Sequence, residues 1–139
     1  MTEASSSNLL SNGTPSGQPA NKARLLDLPA LAVGHRGAVL RHPVGTAEQL
    51  TSAAVVKRLS DGLVPMVCHA PAPARRLNTS PFPALDLLEL FAFVRPATFC
   101  RPTPSGLADV LSLEAPDDLE GEAHILQLVA GALLTDLIR

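Results

Sequence analysis

Cys68 and His69 are the adjacent pair of side chains in this sequence best suited to chemistry. A thiol and an imidazole can form a nucleophile with its base, or supply two metal ligands. The apolar run 63–68 predicts a buried strand, and adjacent side chains on a strand point to opposite faces of the sheet. The spacing therefore favours a structural role for both. Cys100 and His124 could complete a zinc set, but no Cys-x2-Cys or His-x3-His spacing supports one.

Acidic side chains offer a second chemistry. Asp86 and Glu89 lie three residues apart on a predicted helix and could act as paired carboxylates. Because Asp is a favoured N-cap, the pattern more simply predicts that Asp86 caps the helix and that Glu89 is exposed. With Asp109 and His124 they could instead form an unconventional set of metal ligands, and this alternative stays open.

Four arginines could form a basic edge for DNA phosphates, because the guanidinium group makes bidentate phosphate bonds. They are Arg75, Arg76, Arg95 and Arg101. The formal net charge is −2, and the chain has four Phe but no Trp or Tyr, so neither a globally basic module nor a base-stacking platform is indicated. These arginines are predicted as possible nucleic-acid contacts, and the alternative for each is a solvated turn residue.

The elements that must position these side chains can be read from turns, caps and apolar periods. Few strands followed by several helices predict an α/β or α+β fold. We expect a hairpin over 29–40 around the turn 34–37, a helix capped by Thr46 and ending near Leu59, the strand 63–68, a helix over 86–94, a helix from the cap Thr103 to Leu111, and a last helix over 116–138.

Composition sets the domain organisation and the compartment. Residues 1–24 are rich in Ser, Asn, Gly, Thr and Pro, which predicts a disordered leader, and residues 25–139 form one domain. Two cysteines are too few for a disulfide framework, and the first residues lack the pattern of a signal peptide. No apolar run reaches the ~20 residues of a membrane span. We therefore expect a cytoplasmic protein without a membrane partner.

The order of elements in the second half resembles the DEDDh exonuclease superfamily. The residues that carry the resemblance are the strand and His turn at 63–70, the helix text Asp-Leu-Leu-Glu-Leu at 86–90 and the segment 104–111. In that family four acids hold two metal ions, and a His near the last acid is the general base. The resemblance implies a reduced, ribonuclease-H-like exonuclease fold, a small sheet with an N-terminal hairpin and four to five helices.

The family's acids are missing at the matching positions. The opening strand offers only Gly34, His35 and Arg36. The Asp of the second motif falls at Ala74. The His-x4-Asp of the third motif falls at His124 and Val129, and His69 remains of the His turn. The resemblance thus implies a degenerate, non-catalytic domain. The stretch from Gly34 to His69 looks too short for the family's three-stranded meander and longer first helix, so we expect a reduced sheet.

Residues 28–31, 85–96 and 101–108 resemble the N-terminal region of bacterial, particularly alphaproteobacterial, DinG-type ATP-dependent DNA helicases. The resemblance implies a non-catalytic accessory module that docks on the helicase motor in cis or guides DNA during repair. No Gly-x4-Gly-Lys-Ser/Thr loop occurs in the 139 residues, so we expect a fragment without its own cofactor, ATP and Mg²⁺ belonging to the missing motor. The alternatives are a residual metal-dependent 3′–5′ exonuclease-like nuclease and a free-standing interaction domain.

Overall fold

A mixed, five-stranded sheet is the centre of the computed structural model, which describes residues 26–137. The strands are β1 (Ala30–Val33), β2 (Ala38–Arg41), β3 (Ala47–Leu50), β4 (Met66–Val67) and β5 (Leu85–Asp86). Their order across the sheet is β3-β2-β1-β4-β5. The first three strands form an antiparallel meander, whereas β4 runs parallel to β1 and β5 runs parallel to β4.

Helices cover both faces of this sheet. The helices are α1 (Ser52–Ser60), α2 (Pro71–Leu77), α3 (Leu87–Val94), α4 (Pro104–Val110) and α5 (Leu119–Leu137). Since successive side chains on a strand alternate between faces, Ala30 and Ala32 pack with α3, α4 and α5, whereas Leu31 packs with α1 and α2. The mixed α/β class expected from the sequence is confirmed.

Helix α5 is the main support of the sheet. It packs across β1 and β2, and α3 and α4 pack against it in turn. Its buried side chains include Val129, Ala130 and Leu133, all with no exposed surface. Gln127 ties the helix to the end of β2, since its side chain accepts from Nε of Arg41 at 2.7 Å and donates to the carbonyl of His42 at 3.0 Å. The position of α5 relative to β1 is therefore fixed.

The prediction of a helix capped by Thr46 was wrong. Residues 47–50 pair with β2 as β3, and the helix begins only after Thr51, whose hydroxyl accepts from the N–H of Ala54 at 3.1 Å. Pairing in β3 satisfies backbone groups along β2 that would otherwise lack partners. A three-stranded meander is present, but β1 precedes Gly34, and the stretch from Gly34 to His69 holds only β2, β3, a first helix of nine residues and β4.

Local capping signals gave the starts of α3 and α4 correctly, whereas α2 was not predicted. The carboxylate of Asp86 caps α3 by accepting from the N–H of Glu89 at 3.0 Å, and the hydroxyl of Thr103 caps α4 by accepting from Gly106 at 2.9 Å. The strand predicted over 63–68 is confined to β4, and the last helix begins at Leu119. The predicted leader over 1–24 lies outside the described residues. None of the helices described over 26–137 combines the length and apolarity needed to cross a membrane.

Candidate functional site

A groove of about 200 Å³ opens where the parallel strands β1 and β4 end. Carboxyl ends of neighbouring parallel strands meet at one edge of a sheet, which is where α/β proteins commonly bind ligands. We call it the β1/β4 groove. Helix α2, the loop before α4 and the first part of α5 form its walls. Its polar lining side chains are Cys68, His69, Arg76, Thr103, Ser105 and Glu122.

Arg76 is anchored at the end of β1. Its Nη1 donates a hydrogen bond of 2.6 Å to the carbonyl oxygen of Val33, the last residue of that strand. Arg76 lies in the last turn of helix α2. This helix has Pro71 in its first turn and ends at Asn78, which adopts the left-handed conformation at φ 56°. Within residues 26–137, no carboxylate oxygen lies within 4 Å of this guanidinium. The groove therefore contains a fixed cation.

His69 stands beside a buried carboxylate. Its Nδ1 lies 3.7 Å from Oδ2 of Asp86, which is beyond hydrogen-bond distance, and among the described residues this buried nitrogen has no partner. Asp86 is itself occupied, since Oδ2 accepts from the N–H of Ala70 at 2.8 Å and Oδ1 caps α3. The carboxylate thus holds the starts of α2 and α3, and leaves the imidazole of His69 without a strong acceptor.

Glu122 is the one carboxylate that lines the groove. Partial burial raises the pKa of its carboxyl group, the positive charge of Arg76 opposes that rise, and the negative charge of Asp118 adds to it. Its place on α5 follows from helical periodicity, because Glu122 and Leu126 are four residues apart and face the same groove. Sequence reasoning missed Glu122. The only signal available was an acid one turn before an apolar residue.

The predicted motif positions on the helices lie elsewhere. On α5, His124 is exposed and Val129 is completely buried in the core, so neither lines the groove. On α2, Ala74 is buried, and the groove-lining residues of that helix are Ala72, Pro73 and Arg76. Of the predicted motif positions, only His69 lines the groove. The groove is thus lined by a His, an Arg and a Glu, and not by the positions that match the family's acids.

The four predicted basic contacts do not form one edge of the groove. Both Arg75 and Arg76 are exposed, but of these two neighbours on α2 only Arg76 lines the groove. Arg95 donates to Asp136 at 2.7 Å, and that ion pair ties α3 to α5. Arg101 is exposed, and its carbonyl accepts from the N–H of Thr103 at 2.8 Å.

Neither predicted metal arrangement is assembled. Across residues 26–137, no three His, Cys, Asp or Glu side chains lie close enough together to hold a metal ion. Asp86 serves as a cap, and Glu89, Asp109 and His124 are exposed. The two cysteines are free thiols, and burial is the main reason that the pKa of Cys68 is raised to about 12. These residues do not fit the two metal ions that the exonuclease resemblance implies.

A second, larger concavity of about 700 Å³ lies at the same end of β1 but on the side of β2, where it borders the β1–β2 turn at Gly34 and Gly37 and the start of α5 at Leu119. Its charged side chains, Arg36, Asp118 and Glu120, are exposed and of both signs. The β1/β4 groove is smaller, but it alone of the two combines an anchored cation with a buried, unpartnered nitrogen. We therefore take it as the candidate site.

Comparison of the chain with protein-family models, with curated proteins and with solved structures gives no match.

Proposed function

We propose that the chain is a non-catalytic, exonuclease-like accessory module of a DinG-type ATP-dependent DNA helicase, which docks on the motor in cis and guides a DNA strand. One observation carries the non-catalytic part. The β1/β4 groove has a single carboxylate, Glu122, and the guanidinium of Arg76 at the end of β1. Two-metal phosphodiester cleavage needs several carboxylates to hold its cations.

The arrangement of the sheet supports a reduced ribonuclease-H-like fold. The exonuclease resemblance implies a three-stranded meander, then a helix, then a strand that leads into the His turn. The chain has the meander β1–β3, the helix α1, and the strand β4 leading to His69, in that order. Its strands are short, and α1 has only nine residues.

Exposed aromatic side chains support the docking part. Phe93, on α3, and Phe99, in the loop that follows, are 73% and 82% exposed. Large aromatic residues are common anchors at protein interfaces. In an accessory module they would be covered by the motor. We expect the double substitution Phe93→Ser with Phe99→Ser to weaken the module's effect on the motor without unfolding the module.

The first test is a nuclease assay on the purified 139-residue chain. We expect labelled single-stranded DNA to stay intact in Mg²⁺ and in Mn²⁺. If the chain cleaves DNA, and this cleavage is lost in Glu122→Gln but retained in Glu120→Gln, the non-catalytic proposal is wrong. The chain is then a residual metal-dependent nuclease. Asp86→Ala is a poor probe, because Asp86 caps α3 and holds the N–H of Ala70, so its loss disturbs the groove in any case.

The second test concerns the motor. We expect the coding frame downstream of Arg139 to contain a Gly-x4-Gly-Lys-Ser/Thr loop and helicase motifs. Unwinding and DNA-dependent ATP hydrolysis by the parent protein should then fall when residues 1–139 are deleted. If no motor follows in frame, the helicase assignment fails and a free-standing interaction domain takes its place.

A further inference from the structure

Most N–H groups of the Arg76 guanidinium are free to donate to a ligand. One Nη1–H bonds to the carbonyl of Val33, and this bond fixes the group at the end of β1. An arginine side chain has five N–H donors, so most of them remain available. Among residues 26–137 no carboxylate lies within ion-pair distance of them. A cation that is held in place before a ligand arrives loses little freedom on binding, which favours affinity.

Other donors surround the same space. His69 also lines the groove, but its unpartnered Nδ1 is buried and lies 3.7 Å from Oδ2 of Asp86, so this nitrogen does not face a ligand. The hydroxyl oxygen of Thr103 accepts from Gly106, so its own O–H is still free to donate, and Ser105 adds a second hydroxyl to the lining. A cation with two hydroxyl donors is a set that suits the oxygen atoms of a phosphate.

We propose that the β1/β4 groove binds one backbone phosphodiester of single-stranded DNA without a metal ion, with Arg76 as the cation that contacts the phosphate. This inference rests on the proposed DNA-guiding function and assigns the DNA contact to the β1/β4 groove. Arg76 supplies the positive charge that attracts the phosphate. No bond is made or broken, because the groove has no metal-holding acids and only holds the strand.

The size of the groove agrees with this ligand. Small-molecule pockets usually enclose about 300–1,000 Å³, and this groove encloses about 200 Å³. A whole nucleotide therefore does not fit inside it. A phosphate group fits, with the bases of the strand left outside, and binding should not depend on base sequence.

Glu122 opposes the binding of an anion. Partial burial raises the pKa of its carboxyl group, and in its ionised form this group repels a phosphate. Replacing Glu122 with Gln should therefore strengthen DNA binding. This variant provides a test that loss of folding cannot imitate, since an unfolded protein would not gain affinity.

The experiment measures the anisotropy of a labelled oligo-dT in EDTA with the full chain. Arg76→Gln should weaken binding roughly tenfold, as the loss of one charge-assisted contact implies. It should also reduce the slope of log affinity against log salt by about 0.7. Arg75→Gln is the matched control, because it removes the same charge from a neighbouring residue that is equally exposed but does not line the groove. We expect it to change affinity less than about twofold.

Glu122→Gln should raise the affinity several-fold, whereas Glu120→Gln, also on α5 but outside the groove, should leave it nearly unchanged. Equal losses in Arg75→Gln and Arg76→Gln, no loss in either, or no gain in Glu122→Gln would each overturn the site. A titration with inorganic phosphate identifies the source of the ligand. Saturable phosphate binding that needs Arg76, without binding of oligo-dT, would assign the groove to free phosphate and overturn the DNA site.

The two proposals can fail separately. If deletion of residues 1–139 impairs the motor while Arg76→Gln binds DNA as well as the unaltered chain, the accessory function stands and the phosphate site fails. If Arg76→Gln loses DNA binding but no motor follows in frame, the site stands and the helicase assignment fails.

Discussion

Oδ2 of Asp86 accepts a hydrogen bond from the backbone N–H of Ala70 at 2.8 Å. The other oxygen of the same carboxylate caps α3 by accepting from Glu89 at 3.0 Å. Because Ala70 directly precedes α2, one side chain holds the starts of two helices. Asp86 is only 8% exposed, so water cannot readily replace either bond. The acid that most resembles a catalytic carboxylate in this sequence thus has a structural role.

The first prediction concerns this carboxylate. Asp86→Ala should lower the free energy of unfolding by about 2–4 kcal/mol, because it removes an N-cap and leaves a buried N–H without an acceptor. Urea unfolding followed by circular dichroism measures the change. The control is Asp109→Ala, an exposed acid on α4, which should change stability by less than about 0.5 kcal/mol. Similar losses in both variants would contradict the structural role of Asp86.

Two glycines should respond in opposite directions to the same substitution. A Cβ at Gly106 would lie 2.4 Å from the carbonyl oxygen of Arg101, so Gly106→Ala should destabilise the protein by about 1–3 kcal/mol. Gly131 lies inside α5 with no atom within 4 Å of an added Cβ, so Gly131→Ala should stabilise it by about 0.5–1 kcal/mol. Thermal melts of both variants provide the comparison. A stable Gly106→Ala variant would disprove the close approach to Arg101.

Features set by neighbouring residues could be predicted from the sequence. Thr103 before a proline and Asp86 before an apolar run are local capping signals, and both caps form. The mixed α/β class followed from the same local signals, since strands and helices were read in nearly the right order. The interactions that form these caps join residues only a few positions apart in the chain. A single sequence is therefore sufficient to recognise them.

Features set by distant contacts could not be predicted. Strand β3 has the sequence Ala-Glu-Gln-Leu, which shows no strand preference, and it forms because it pairs with β2. The groove residue Glu122 was missed for a related reason. Which side of α5 faces the sheet depends on tertiary packing, and that packing buries Val129 and exposes His124. Motif spacing alone did not specify the side.

The third prediction concerns Glu48 on β3, whose carboxylate accepts a hydrogen bond of 2.7 Å from Arg58 and also contacts His42. The hydrogen bond from Arg58 is the main reason that the pKa of Glu48 is lowered from 4.5 to about 2. Because the pKa of Glu48 is lower in the folded state, its contacts stabilise the fold at pH values above about 4.5. This contribution is lost as pH falls from about 4.5 through about 2.

Carbon-13 NMR of the Glu48 carboxyl group should give a midpoint near 2. Arg58→Gln should move the midpoint towards 4.5, the ordinary value. Lys57→Gln is the matched control, because Lys57 pairs with Asp61 instead and should leave the Glu48 titration unchanged. A midpoint near the ordinary value in the unaltered protein would show that the Glu48–Arg58 contact does not persist in solution.

The last prediction concerns Cys68, whose pKa is raised to about 12, first by burial and then by the nearby negative charges. The thiolate is the reactive form, so Cys68 should be alkylated by iodoacetamide on the order of 100-fold more slowly in the folded protein than in urea. The Cys100→Ser variant isolates Cys68 for this measurement by mass spectrometry. Its folded-state rate should keep rising with pH beyond about 9, whereas the unfolded rate should level off near the ordinary thiol pKa of about 8.5. A folded-state rate that also levels off near this value would mean that Cys68 is open to solvent, and that the wall of the β1/β4 groove is looser than its packing indicates.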